Sequence, residues 1–171
     1  YQSFEAVKPK VEVMLNFFPE HLDWHGSEQA YFDDKSALIT NTQAKNVVLN
    51  FSAPVVAALA SNTQANVHWF NSADTWHAQG HFLFKGAQQI LDLRSLPMPG
   101  DHNAGNVCAA LTAIDALGID ARELAIRVQS FKPLPHRLQS LGTRDGIEYI
   151  NDSISTTPFA SIAALQCFSD R

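Results

Sequence analysis

Phe18-Pro-Glu-His-Leu-Asp-Trp-His-Gly-Ser27 lies between an apolar, β-rich run and a helical pattern. The run before it, Val11-Glu-Val-Met-Leu-Asn16, predicts a β-strand. Ser27 predicts the N-cap of the following helix, because its hydroxyl can accept a backbone hydrogen bond and Glu28 suits the first turn. The segment therefore predicts a strand, a loop and a helix in succession.

The same alternation of strand and helix recurs farther along the chain. Asn46-Val-Val-Leu-Asn-Phe51 is a second apolar run followed by a helical pattern, and such repeats are typical of βαβ units on a parallel sheet. From Val67 to Leu93, apolar residues alternate between glycines, which predicts a small antiparallel sheet. We therefore predict an α/β fold in which a parallel sheet is joined by a small antiparallel sheet.

Two helices are predicted after this region. The first follows Pro99 and ends at Gly118, since glycine is common just beyond a helix C-terminus. Its apolar stripe at helical spacing comprises Val107, Ala110, Leu111, Ile114 and Leu117. The second is expected from about Arg122 to Ser130. Its buried face would hold Leu124, Val128 and Phe131.

A domain boundary is predicted at Lys132-Pro-Leu-Pro135, because two prolines so close together exclude both a helix and a central strand. Beyond it, Arg144-Asp-Gly146 separates two apolar runs and predicts a β-hairpin. Residues 1–131 would then belong to one domain, and residues 132–171 would begin a second. The chain starts at Tyr1 and stops after an apolar run, so we expect it to be a piece of a longer protein.

Composition excludes several classes of function. A net charge of −5, a pI near 5.7 and the lack of any Lys/Arg cluster argue against a nucleic-acid-binding protein, because phosphate backbones require basic surfaces. No apolar run approaches the roughly 20 residues of a membrane span, so no membrane insertion is expected. Cys108 and Cys167 both lie in apolar helical patterns, which favours buried thiols and a reducing cytoplasm.

Two side chains near the first strand are candidates for a site. His21 and His25 are four residues apart, but the flanking proline and glycine favour a loop at the carboxyl end of the strand over a zinc-binding helix face. A ligand-binding loop and a surface histidine are the alternatives for His21. Lys35 falls on the same helix face as Tyr31 and Leu38. A functional lysine and a snorkelling side chain are the alternatives there.

A pair of amides marks the start of the helix after Pro99. Asn103 and Asn106 lie three residues apart in its first turn, so both can face one ligand beyond the helix N-terminus. Helix capping is the alternative, and it explains Asn103 better than Asn106.

Four segments occur in one order: residues 18–27 with Lys35, Gly100-Asp-His-Asn-Ala-Gly-Asn106, Leu134-Pro-His-Arg137 and Asn151-Asp-Ser-Ile-Ser-Thr156. In these segments the sequence resembles the Mur ligase family. The resemblance implies the second half of a P-loop-type central ATPase domain, followed by the start of a Rossmann-like C-terminal domain. Tyr1-Gln2-Ser3 would end a strand whose metal-binding glutamate precedes residue 1.

The resemblance implies an enzyme, an ATP-dependent ligase that adds D-glutamate to UDP-N-acetylmuramoyl-L-alanine in peptidoglycan synthesis. ATP would convert the muramoyl-alanine carboxylate to an acyl phosphate, which the glutamate amine then attacks. Ile154 stands where the family usually has lysine, and the Ser-Ile-Ser-Thr loop is similar to that of a branch associated with L-glutamate. Addition of L-glutamate therefore remains an alternative. The implied parent is a monomeric cytoplasmic enzyme.

The resemblance also implies roles for individual residues. His21 would bind Mg²⁺, and Lys35 would carry a carbamate whose oxygens suit a hard cation, so both are expected to be catalytic. Glu20 stands where the family usually has Asp. Contacts to ATP are implied for Asn103, Asn106, Arg137 and Asp152, and contacts to glutamate for Ser153 and Thr156.

The chain has no G-x-x-x-x-G-K-[ST] segment, the backbone loop that binds the phosphates of ATP. We therefore expect the chain alone to be inactive. Two rival functions remain for it. A metal-dependent hydrolase would use His21, His25 and a carbamylated Lys35 without ATP, whereas a non-catalytic binding module would keep only the fold.

Overall fold

A six-stranded sheet organises the part of the chain that the computed structural model describes, residues 8–168. Its strands lie side by side in chain order. They are β1 Val11–Met14, β2 Asn46–Asn50, β3 Asn66–Phe70, β4 Trp76–Gln79, β5 Phe82–Lys85 and β6 Gln88–Asp92. The strands β1 to β4 pair in parallel and β4 to β6 pair antiparallel, which confirms the predicted α/β fold.

One strand differs from the prediction. β3 pairs in parallel with β2, with Val67 opposite Val47, although the sequence predicts an antiparallel sheet from Val67 onward. The antiparallel part begins instead at the turn between β4 and β5, where Gly80 has a φ of 57°. Alternating apolar residues predict a strand but not the direction of its neighbour, which depends on the connection between them.

Helices cover both faces of the sheet. Within residues 8–168 they are α1 Leu22–His25, α2 Glu28–Thr40, α3 Pro54–Ala57, α4 Asp101–Ala116 and α5 Pro158–Gln166. Successive residues of β2 point to opposite faces. Val47 and Leu49 pack with Ile39 of α2, whereas Val48 packs with Val107 of α4.

The predicted N-terminus of α2 is confirmed. The Ser27 hydroxyl accepts a hydrogen bond from the Ala30 backbone N–H at 3.1 Å. Tyr31 and Ile39 are buried, while Lys35 is only half-buried. The buried face is therefore rotated from the predicted one, and Lys35 lies at its margin.

The buried face of α4 is also shifted from the prediction. Ala104, Val107, Cys108 and Leu111 contact the sheet, whereas Ala110 is exposed and Leu117 is 49% exposed. Gly118, with a φ of 82°, follows the end of the helix as predicted.

Residues 121–130 form a turn and a 3₁₀ helix, Ala125–Ser130, where an α-helix is expected. The prediction of its buried face is wrong for Leu124 and Phe131, which are 38% and 49% exposed. Two small residues, Ala121 and Ala125, are buried in their place. The Ala121 N–H donates to the Asp115 carboxylate at 3.0 Å, a contact across six positions that helical periodicity does not predict.

The predicted hairpin is confirmed as a separate two-stranded sheet of β7 Gln139–Arg144 and β8 Ile147–Asn151. Asp145 and Gly146 at its turn have φ values of 53° and 80°. Both values are positive, as the favoured two-residue hairpin turn requires. The Thr157 side chain then caps α5 by accepting from the Ala160 N–H.

Both cysteines are free thiols. Cys108 is buried as predicted, and burial raises the pKa of its thiol to about 12. Cys167 is only half-buried. None of the helices between residues 8 and 168 combines the length and hydropathy that crossing a bilayer requires. The segment Tyr1-Gln2-Ser3 lies outside the described residues.

Candidate functional site

The loop after β1 exposes the His21 imidazole. His21 has a φ of 56° and precedes the single turn of α1, so a short helical turn stands where the sequence predicts only a loop. Its side chain is 66% exposed, and its Nε2 lies 3.9 Å from Oε1 of Glu20. The His25 side chain is only 8% exposed and its Nδ1 lies 2.8 Å from Asp34 Oδ2. The two histidines therefore do not form a zinc-binding pair.

Lys35 lies beside an aromatic and histidine cluster on α2. Its Nζ donates to the Tyr31 hydroxyl at 3.3 Å and lies 5.3 Å from the centre of that ring. The Tyr31 ring also contacts the His25 ring, at 4.9 Å between ring centres, and the Phe17 ring, at 5.4 Å. No carboxylate within residues 8–168 lies within ion-pair distance of the Lys35 amine. In the same part of the chain, no three His, Cys, Asp or Glu side chains converge as metal ligands.

A cavity of about 690 Å³ brings together three of the residues expected at ATP. It opens beside the N-terminal half of α4 and is mostly apolar. Asn103, Asn106 and Arg137 contribute polar groups to it, and Arg127 and Ser130 also line it. Its apolar lining includes Val107, Ala110, Leu111, Ile114, Leu124, Val128, Phe131 and Leu134. The apolar side chains that the sequence assigns to buried helix faces thus line a cavity.

The two amides of α4 have different environments. Asn103 is buried, and its Nδ2 donates to the Pro99 carbonyl at 2.7 Å. Asn106 is exposed, and its Nδ2 lies 3.5 Å from the Asn103 Oδ1. The N-cap of α4 is Gly100, with a φ of 99°, so capping explains neither asparagine. Asn103 fixes the loop before the helix, and Asn106 is free to face a ligand.

Asp152 holds a turn rather than lining the cavity. Its Oδ1 accepts from the Leu138 N–H at 2.9 Å, and its Oδ2 accepts from the Ser155 hydroxyl. Leu138 has a φ of 46°, an uncommon conformation for leucine, which this hydrogen bond helps to maintain. Because Arg137 precedes Leu138, Asp152 positions the backbone that carries the guanidinium. Asp152, for which the family resemblance implies a contact to ATP, therefore lies next to the cavity-lining segment but does not itself line the cavity.

The His102 imidazole is influenced by the charges of Asp152, Arg137 and Asp101. Burial lowers the pKa of its imidazole against the opposing charge of Asp152, and the Arg137 charge lowers it further. Sequence analysis assigns no role to His102, the second residue of α4. Its environment depends on residues 35 and 50 positions away, which no local pattern reveals.

The loop expected to contact glutamate touches the loop that carries His21. The Thr156 hydroxyl donates to Glu20 Oε1 at 2.7 Å. The Phe18 and Phe159 rings stack with their centres 5.7 Å apart. Ser153 is exposed, and its N–H donates to Asn151 Oδ1 at 3.1 Å. Sequence analysis missed both contacts, because each joins residues more than 130 positions apart.

Residues 2–114 match the family model described as the Mur ligase middle domain. Similar curated proteins include the UDP-N-acetylmuramoyl-L-alanine--L-glutamate ligase of Xanthomonas campestris pv. campestris (strain 8004), 51% identical over 100% of this chain. The ligase of the same name from Xylella fastidiosa (strain 9a5c) is 50% identical over 97% of it. The chain spans only 37% and 35% of the lengths of these two relatives.

Solved structures of low sequence identity share the fold. MurF from Acinetobacter baumannii aligns with a TM-score of 0.78 and 18% identity, over 96% of this chain and 38% of that one. A pseudomurein peptide ligase type C from Methanothermus fervidus aligns with a TM-score of 0.76 and 19% identity, over 97% and 42%. Since the middle-domain model matches about two thirds of its residues, the chain belongs to the Mur ligase family.

Proposed function

We propose that the chain is part of an ATP-dependent ligase that adds L-glutamate to UDP-N-acetylmuramoyl-L-alanine in peptidoglycan precursor synthesis. The observation that carries the proposal is the cavity shared by Asn103, Asn106 and Arg137 on a Mur ligase scaffold. L-glutamate replaces the first expectation of D-glutamate, because the similar curated ligases carry L-glutamate in their names. Ile154 in the Ser-Ile-Ser-Thr loop supports the same choice.

The cavity suits the adenosine part of ATP. Nucleotide sites are mostly apolar clefts with a few fixed polar groups. Here Val107 and Phe131 are among the apolar walls available to a flat base, and the exposed Asn106 amide can both donate and accept. The Arg137 guanidinium on the same wall can bind ribose or phosphate oxygens.

Lys35 and His21 fit the proposed magnesium site in their chemistry. The Lys35 amine donates to the Tyr31 hydroxyl and has no carboxylate partner within residues 8–168, which leaves it available for carbamylation. A carbamate would supply oxygen ligands, and the exposed His21 imidazole would supply a nitrogen. When bound, Mg²⁺ would neutralise negative charge that develops during phosphoryl transfer. The remaining ligands would come from other parts of the parent.

The reaction proceeds by two displacements. An oxygen of the muramoyl-alanine carboxylate bonds to the γ-phosphorus of ATP, and ADP leaves. The amine nitrogen of glutamate then bonds to the acyl carbon, phosphate leaves, and the nitrogen loses its extra proton to solvent. Ser153 and Thr156 orient the glutamate, while Asp152 holds their loop and the backbone next to Arg137.

The active enzyme requires more than this chain. The phosphate-binding segment G-x-x-x-x-G-K-[ST] does not occur in residues 1–171, so catalysis belongs to the longer parent. The end of the family match at residue 114 and the separate hairpin from Gln139 support a domain joint near residues 132–135. Free thiols favour a cytoplasmic parent, and we propose that it is monomeric.

The test is ADP release by the full-length parent with ATP, Mg²⁺ and UDP-N-acetylmuramoyl-L-alanine. We expect release to depend on L-glutamate and to be much slower with D-glutamate. Asn106→Ala should raise the KM for ATP, whereas Gln129→Ala, on the exposed 3₁₀ helix, should not. No glutamate-dependent release would refute the ligase function, and a preference for D-glutamate would refute only the stereochemistry.

A further inference from the structure

We propose that Glu20 is a positioning residue that acts through Thr156 to hold the glutamate loop, residues 153–157, against the loop that carries His21. The proposal rests on the ligase function proposed above. It adds a residue that determines how glutamate is presented to the acyl phosphate.

Two contacts join the segment around Glu20 to the segment around Thr156. The Thr156 hydroxyl donates to Glu20 Oε1 at 2.7 Å, across 136 positions of the chain. Phe18 and Phe159 stack with 5.7 Å between ring centres and 26° between ring planes. Phe18 precedes Glu20 by two residues, and Phe159, in the first turn of α5, follows Thr156 by three, so the ring stack is a second contact that holds the glutamate loop near the His21 loop.

The Glu20 carboxylate also determines which face of Thr156 a ligand meets. A hydroxyl has one proton, and Thr156 donates it to Glu20 in a charge-assisted hydrogen bond. Only oxygen lone pairs then remain for the ligand. They suit the ammonium or amine nitrogen of glutamate rather than its carboxylates, so the nitrogen that attacks is turned toward this side of the site.

The length of Glu20 is required for this contact. An aspartate at the same backbone position would end about 1.5 Å shorter. The distance from the Thr156 hydroxyl to the carboxylate, 2.7 Å with glutamate, would then exceed the usual range of a hydrogen bond unless one of the loops moved. Asp152, by contrast, anchors the glutamate loop only to its own part of the chain, through Leu138 and Ser155.

The experiment compares Glu20→Ala, Glu20→Asp and Glu20→Gln in the full-length parent, with initial rates measured against glutamate and ATP separately. We expect Glu20→Ala and Glu20→Asp to raise the KM for glutamate about tenfold, because each loses one charge-assisted hydrogen bond. The KM for ATP should stay unchanged. Gln should raise the KM for glutamate only about threefold, because its Oε1 still accepts from Thr156 but without the charge that strengthens the bond. Thr156→Val should raise the KM for glutamate at least as much as Glu20→Ala, because it also removes the oxygen that faces the ligand, and adding Glu20→Ala to Thr156→Val should cause no further rise. Glu123→Ala removes an exposed carboxylate elsewhere and serves as the control.

Three results would overturn the proposal. The first is a wild-type KM for glutamate in Glu20→Ala. The second is an equal rise in both KM values, which indicates general damage. The third is Glu20→Gln as impaired as Glu20→Ala, which indicates a need for charge rather than for an acceptor. Failure of the proposed function would differ from all three, because wild-type parent would then release no ADP in response to glutamate.

Discussion

The Trp76 indole N–H donates to Asp115 Oδ2 at 2.6 Å, which ties the fully buried ring of β4 to the last turn of α4. The same carboxylate oxygen lies 2.8 Å from Lys85 Nζ, and the other oxygen accepts from the Ala121 N–H. One side chain therefore joins two strands of the sheet, α4 and the turn that follows α4. These contacts of Asp115 fix the C-terminal end of α4, a helix that lines the cavity, relative to the sheet.

Asp115→Asn should destabilise the parent protein by about 2 kcal/mol, because it weakens two hydrogen bonds and removes the ion pair with Lys85. Urea unfolding followed by tryptophan fluorescence measures the change. The control is Asp120→Asn, whose carboxylate pairs with Arg122 on the surface and should leave the midpoint unchanged. Equal effects of the two substitutions would contradict this role for Asp115.

The contribution of Asp115 should also depend on pH. Burial opposes ionisation of Asp115, but hydrogen bonds from Lys85, Ala121 and Trp76 outweigh it and lower the pKa below 3.8. A lowered folded-state pKa means that the stabilisation is complete above the unfolded value and is lost as the pH falls through the folded value. The difference in stability between wild type and Asp115→Asn should therefore shrink below about pH 4. A difference that stays constant down to pH 2 would exclude this linkage.

Lys35→Ala should abolish ligation by the parent, because a carbamate cannot form without the amine. Added acetate or another short carboxylate should restore part of the activity by supplying oxygen ligands in its place. Lys45→Ala, at an exposed lysine, is the matched control and should remain active. Steady-state rates with and without acetate make the comparison, and full activity of Lys35→Ala would remove Lys35 from the site.

Limited proteolysis should cut the parent within residues 131–137, all of which are exposed. Chymotrypsin has Phe131 available and trypsin has Arg137, whereas the bonds before Pro133 and Pro135 should resist. ATP with muramoyl substrate should protect both sites, because Arg137 and Phe131 line the cavity proposed to bind the nucleotide. Mass spectrometry of the fragments locates the cuts, and cleavage that ligands do not change would argue for one rigid unit.

The isolated chain should show no micromolar binding of Mg-ATP by calorimetry and no phosphate release. The chain contains the cavity proposed for adenosine. Residues 1–171 lack the G-x-x-x-x-G-K-[ST] segment, whose backbone N–H groups bind the triphosphate charge. Full-length parent is the positive control. A micromolar dissociation constant for the chain would mean that residues interpreted here as structural build a phosphate site.

Local signals predicted those elements whose causes are local. The Ser27 cap, the hairpin at Asp145 and the end of α4 at Gly118 depend on neighbouring residues, and the structure agrees with each. The direction of β3 and the 3₁₀ helix at Ala125–Ser130 depend on distant partners, and there the sequence prediction was wrong.

The candidate site divides in the same way. Resemblance to a family indicated Asn103, Asn106 and Arg137, and the structure brings them to one cavity. Their apolar surroundings were assigned to buried helix faces, since periodicity cannot distinguish a core from a cavity wall. The contact between Glu20 and Thr156 spans 136 positions and has no counterpart in any spacing rule.

The position of Trp24 gives this molecule a built-in optical reporter. The indole is 85% exposed on α1, three residues after His21, whereas Trp76 is 2% exposed in the core. Water-soluble quenchers should therefore reach Trp24 most, the half-buried Trp69 less and Trp76 least. If substrate binding shields the Trp24 indole from the quencher, the change in its fluorescence reports binding near the His21 loop. Trp76, which the quencher reaches least, serves as the internal reference.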